Sequence, residues 1–131
     1  MTIRAEQVYG TWRLVASTAV DAGGRPVRPP YGPRPMGRLV LDEAGRMMAV
    51  LCDGRPAMPE GEKRAYGSYC GNYRVENNTL ITTVDAAAVA GRIGGRQLRK
   101  LEFRDGRLVL IPPPRPNGEQ RELFWERDGP P

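Results

Sequence analysis

The chain has 131 residues, 40% of them apolar and 27% charged, which is the composition of one globular domain over 1–131 and too little for separate catalytic and binding domains. It has no run of about 18 apolar residues and no leader-like start, so no membrane partner is expected and the expected compartment is cytoplasmic. The net charge is +5 with 18 Arg among 20 basic residues, but these are scattered and lie close to Asp or Glu, as on a solvated surface rather than a nucleic-acid interface.

Thr2 is the expected cap of a short helical turn over Ile3 to Val8, ended by Gly10. Trp12 to Val20 reads as a first strand, with Trp12, Leu14, Ala16 and Thr18 on the inward face. Asp21 to Gly24 is a turn. Arg25 to Gly37 carries five Pro residues, too many for a central strand, and reads as a long ordered loop. Arg38 to Asp42 and Arg46 to Asp53 form a hairpin around Glu43-Ala44-Gly45, with Leu39 and Leu41 sharing one face and Met48, Val50 and Cys52 read as inward.

Gly54 to Glu62 is a loop or brief helical turn. Ser68 to Val75 and Thr79 to Asp85 pair around Glu76-Asn77-Asn78, Asn being tolerant of left-handed backbone. Tyr69, Gly71, Tyr73 and Val75 share a face. The small-residue stretch Ala86 to Gly95 stays unassigned. Arg96 to Phe103 and Arg107 to Ile111 flank Asp105-Gly106, a strong hairpin signal. Pro112 to Gly118 is a rigid loop, and Glu119 to Arg127 is the last strand before a polar tail from Asp128 to Pro131. The fold class expected is all-β: eight antiparallel strands in up-and-down order, closed into a barrel able to enclose one small ligand.

The chain also resembles the bacterial lipocalin-like domain family of calycin-type β-barrels. The residues that carry the resemblance are Gly10-Thr11-Trp12-Arg13-Leu14-Val15, Tyr31-Gly32 before Gly37-Arg38-Leu39, Asp42 with Gly45-Arg46-Met47, Tyr69, Gly71 and Tyr73, Gly95 with Arg99, and Leu123-Phe124-Trp125-Glu126-Arg127. They span about residues 9 to 127. The resemblance implies an apolar central cavity. In such a barrel Trp12 and Arg127 would stack as a plug at the closed end, worth about 0.5 to 2 kcal/mol. Relatives often carry His where Thr82 and Thr83 stand here, so no imidazole-dependent activity carries over.

The absence of His excludes an imidazole base, a Ser-His-Asp or Cys-His arrangement and a His-ligated metal. Cys52 and Cys70 alone cannot complete a zinc site, and no phosphate-loop or dinucleotide fingerprint is present. No cofactor and no metal are therefore expected. The inward wall read from alternation comprises Leu14, Met48, Val50, Cys52, Tyr69, Tyr73, Leu80, Thr82, Val84 and Trp125, apolar with a few polar tips, as a site for a hydrophobic molecule requires. The same set could instead fill the core.

In the strand Arg96 to Phe103, Gln97 and Arg99 share the phase of Leu101 and Phe103. Arg99 is then inward and must be met either by a ligand's carboxylate, enolate or developing oxyanion, or by a structural Glu or Asp. For proton transfer the inward candidates are Tyr69, Tyr73, Cys52 and Asp53; for Tyr the alternative is a core residue with one satisfied hydroxyl. Cys52 inward and Cys70 outward would not bridge. The site expected is thus Arg99 and Tyr69 as catalytic groups, with Leu14, Met48, Val50, Cys52, Tyr73, Thr82, Val84, Gln97 and Trp125 around the ligand. Three functions are compatible: a cofactor-independent cyclase or isomerase in bacterial specialised metabolism, a carrier or sensor of a hydrophobic metabolite, or an interaction module using the Pro-rich loops. An exposed strand could pair a homodimer, but no residue demands one.

Overall fold

The alternating stretches form eight antiparallel strands that close on themselves in chain order. They are β1 (Gly10–Val20), β2 (Pro35–Leu41), β3 (Arg46–Asp53), β4 (Tyr66–Glu76), β5 (Thr79–Ala87), β6 (Arg96–Arg104), β7 (Arg107–Ile111) and β8 (Gln120–Arg127). The computed structural model describes residues 1–129; Pro130 and Pro131 of the expected tail lie outside the described residues. β1 pairs with both β2 and β8, so the sheet has no open edge.

Up-and-down order sends alternate connections to opposite ends. One end carries the tight turns: Gly45, Asn77-Asn78 and Asp105-Gly106 all take positive φ, as those hairpins require. The other end carries the four longer connections, at 21–34, 54–65, 88–95 and 112–119. β2 begins at Pro35, three residues earlier than expected from its prolines; Pro is tolerated at the first residue of a strand because no ladder donor is needed there. The unassigned stretch extends β5 to Ala87 and then makes a single 3-10 turn over Ala90–Arg92.

At the N-terminus a 3-10 turn spans Ala5–Gln7, and its N-cap is Arg4, not Thr2. The Gln7 side chain accepts the Arg4 amide at 2.7 Å. This segment closes the tight-turn end. The Ile3 amide donates to Asn78 Oδ1 at 2.7 Å, and Asn78 Nδ2 donates to the Met1 carbonyl at 2.8 Å. The expected plug is present: the Arg127 guanidinium lies 4.3 Å from the Trp12 ring centroid. It also donates to the carbonyls of Gln7, at 2.8 Å, and Tyr9, while Trp12 Nε1 donates to the Val8 carbonyl at 2.9 Å. Ile3, Val8, Trp12, Leu41, Leu80 and Leu108 fill this half of the barrel.

Two strands face differently from their expected phase. In β3 the buried residues are Met47, Ala49, Leu51 and Asp53, whereas Met48 and Val50 are exposed and Cys52 is only partly buried on the outer side. The register explains it: Leu39 pairs with Ala49 and Leu41 with Met47, and directly paired residues share a face. In β1 a bulge between Leu14 and Ala16 shifts the register against β8, so Ser17 and Ala19 turn inward and Thr18 outward. Both cysteines are free. A further irregularity at Cys70/Gly71 leaves Gly71 against Val84, where a Cβ on Gly71 would lie 1.9 Å from the Thr83 carbonyl oxygen. Only glycine is accommodated there.

Candidate ligand-binding site

The end with the long connections is not filled. A cavity of about 270 Å³ opens there, just below the roughly 300–1,000 Å³ range of small-molecule sites. Its apolar wall comes from strands: Leu39 of β2, Ala49 and Leu51 of β3, Leu110 of β7, and Leu123 and Trp125 of β8. Its polar groups are Tyr69 of β4, Gln97 and Arg99 of β6 and Arg121 of β8, joined by Tyr31, Arg92 and Arg115 from the connections. Arg99 is inward because β6 alternates from Gln97 through Leu101, which is buried in the core.

Arg99 Nη2 donates to Gln97 Oε1 at 2.8 Å and Nη1 to the Leu98 carbonyl at 2.8 Å. Arg92 Nη1 donates to the same Gln97 Oε1 at 3.3 Å. Neither guanidinium has a carboxylate partner among the described residues, in contrast to Arg121 and Arg115, which meet Glu119 at 2.6 and 3.9 Å. Of the two alternatives open for Arg99, the structural ion pair is thus not formed. Burial pulls the Arg99 pKa below its ordinary value, Tyr69 opposes that shift, and the Arg92 charge adds to it. Two buried donors of lining residues, Gln97 Nε2 on β6 and Trp125 Nε1 on β8, have no hydrogen-bond partner among the described residues. The site is rich in donors and short of acceptors.

Tyr69 and Tyr31 have pKa values raised by burial, with the Arg charges opposing: Arg99 and Arg92 at Tyr69, and Arg92, Arg121 and Arg99 at Tyr31. Both stay protonated at neutral pH, and neither hydroxyl makes a hydrogen bond among the described residues. They are donors facing the cavity, not bases.

Of the residues read from the sequence, the structure brings Arg99, Tyr69, Gln97 and Trp125 together at the cavity. Leu14, Thr82 and Val84 are buried in the wall but do not line it. Tyr73 belongs to the closed end, its hydroxyl donating to the Asp42 carbonyl at 2.6 Å and its pKa pushed up to about 12 by burial. Met48, Val50 and Cys52 lie on the outside, for the register reason given above. Asp53 is inward but committed elsewhere: Arg55 grips both its oxygens, Nε at 3.0 Å and Nη2 at 2.6 Å, and holds its carboxyl below the usual range. Gly32, at φ 71°, packs so close that a Cβ there would lie 2.3 Å from Asp53 Oδ2. Asp53 anchors the mouth rather than moving protons. Tyr31 and Arg92 escape a periodicity reading because they stand in connections. Ala49 and Leu51 were recoverable by carrying the Leu39 face across the hairpin.

No helix among the described residues is long and apolar enough to cross a membrane. A search of the curated proteins finds no match. A family profile described as a lipocalin-like domain matches residues 9–128, in keeping with the closed eight-stranded barrel and its half-open interior. The chain belongs to the lipocalin-like domain family.

Proposed function

We propose that the open end of the barrel binds a hydrophobic small molecule and orients it for a cofactor-independent cyclisation, with Arg99 and Tyr69 donating to a carbonyl oxygen as charge develops on it. The observation that carries this reading is the Arg99 guanidinium, desolvated in the cavity wall with only neutral acceptors. A donor held in a low-dielectric site needs no reorganisation when the oxygen becomes more negative, and a confined flexible substrate has already lost the freedom that slows ring closure. An isomerase reading that abstracts a proton is less well supported, since the described lining residues include no carboxylate and both tyrosines are held neutral.

The carrier reading is favoured by that same lack of a base. A linear trienone, whose enone activates an alkene toward a tethered diene, separates the two. The barrel should accelerate ring closure, and Arg99→Gln should lower the bound rate by on the order of a hundredfold while changing Kd much less. Binding of the trienone with the uncatalysed rate would instead make the barrel a carrier.

A further inference from the structure

Arg92 and Arg99 come from different elements, the 3-10 turn after β5 and the middle of β6, yet converge on one acceptor, Gln97 Oε1. That oxygen is neutral and shared between two cations, which leaves most of their donors unused. Gln97 itself is 9% exposed, and its Nε2, directed away from the oxygen both arginines claim, is buried without a partner. Trp125, 1% exposed and two strands away on β8, leaves Nε1 in the same condition. Carboxylates are available on this surface, and among the described residues ten of the eighteen Arg take one. The pair at the cavity does not.

We propose that the ligand carries an acidic head, a carboxylate or an ionised enol, which seats between Arg92 and Arg99 while its apolar body lies against Leu39, Leu51, Leu123 and Trp125. This rests on the reading of the cavity as a ligand site and goes further by naming the ligand's charge. One anionic oxygen takes unused guanidinium donors of both arginines, and a carboxylate's second oxygen is left for a donor of the same lining, a Tyr hydroxyl or the Gln97 amide. The same anion compensates two like charges that otherwise face each other across Gln97.

The turn holding Arg92 is built for such a contact. The Gly94 amide donates to the Val84 carbonyl at 2.8 Å, and the Val84 amide to the Gly95 carbonyl at 2.9 Å, which fasten the connection to β5 immediately beside Arg92. The exposed Arg92 stem is therefore carried on a tied loop, not on a free one.

Calorimetric titration with straight-chain carboxylic acids from hexanoate to dodecanoate, and with their primary amides, tests this. The flexible chains adapt to the apolar wall, and the amide removes only the charge. The best acid should bind on the order of tenfold tighter than its amide, and Arg99→Gln should abolish that preference by weakening the acid much more than the amide. Arg92→Gln, at an exposed position, should reduce the preference by itself. Amides binding as tightly as acids, or a preference that survives both substitutions, would overturn the acidic head and leave the cavity as a neutral site. If neither series binds, the reading of the cavity as a ligand site falls with it.

Discussion

Arg99 illustrates how a functional side chain can weaken the fold that holds it. Its guanidinium is mostly out of water and meets two neutral acceptors, one of them shared with Arg92. Replacing such a group with a neutral side chain that keeps a hydrogen bond removes a desolvation cost without opening a cavity. Arg99→Gln should therefore raise the midpoint of thermal unfolding of the ligand-free protein by a few degrees, on the order of 1 kcal/mol. A fall of similar size would mean that Arg99 is a structural residue. The inward direction of Arg99 was legible from Leu101 and Phe103. Its lack of a carboxylate was not, because a partner in a closed barrel can be supplied by strands far away in the chain; in the assembled structure Glu119 goes to its chain neighbours Arg121 and Arg115 instead.

At the scale of elements, the turns were legible and the phases only partly so. Asn77-Asn78 and Asp105-Gly106 announce their hairpins because few residues tolerate positive φ at both positions. The sequence Met47 to Cys52 is apolar in both phases, so alternation alone does not choose between them, and pairing with Leu39 and Leu41 decides for Ala49 and Met47. The β1 bulge had no signal in the sequence: no Gly or Pro marks Leu14-Val15-Ala16, and it is fixed by the fit of β1 to β8. At the β4–β5 irregularity the constraint is sharper. Gly71→Ala would drive a methyl group into the Thr83 carbonyl, and the backbone must move to relieve it. A loss of about 2 to 3 kcal/mol in denaturant unfolding is expected. A loss under about 0.5 kcal/mol would show that the bulge is soft.

The molecule as a whole divides into two ends with different tasks. Tight turns, the N-terminal segment and the Trp12–Arg127 stack seal one end, where backbone carbonyls take the Trp12 indole donor and two of the Arg127 donors. Long connections frame the other, and there the strands stop short of filling the barrel. The eight strands and their closure could be read from alternation and hairpin signals; that one half would be packed and the other hollow could not, since the same Leu, Tyr and Trp residues suit either. The two indoles of the chain provide a direct comparison of the ends. Trp12 Nε1–H is bonded to the Val8 carbonyl, whereas Trp125, which lines the cavity, keeps a buried Nε1–H without a partner among the described residues. In a proton–nitrogen correlation spectrum of the labelled protein titrated with decanoate, the Trp125 indole peak should move with the bound fraction while the Trp12 peak stays in place. Movement of the Trp12 peak alone, or of neither, would contradict a ligand site at the open end.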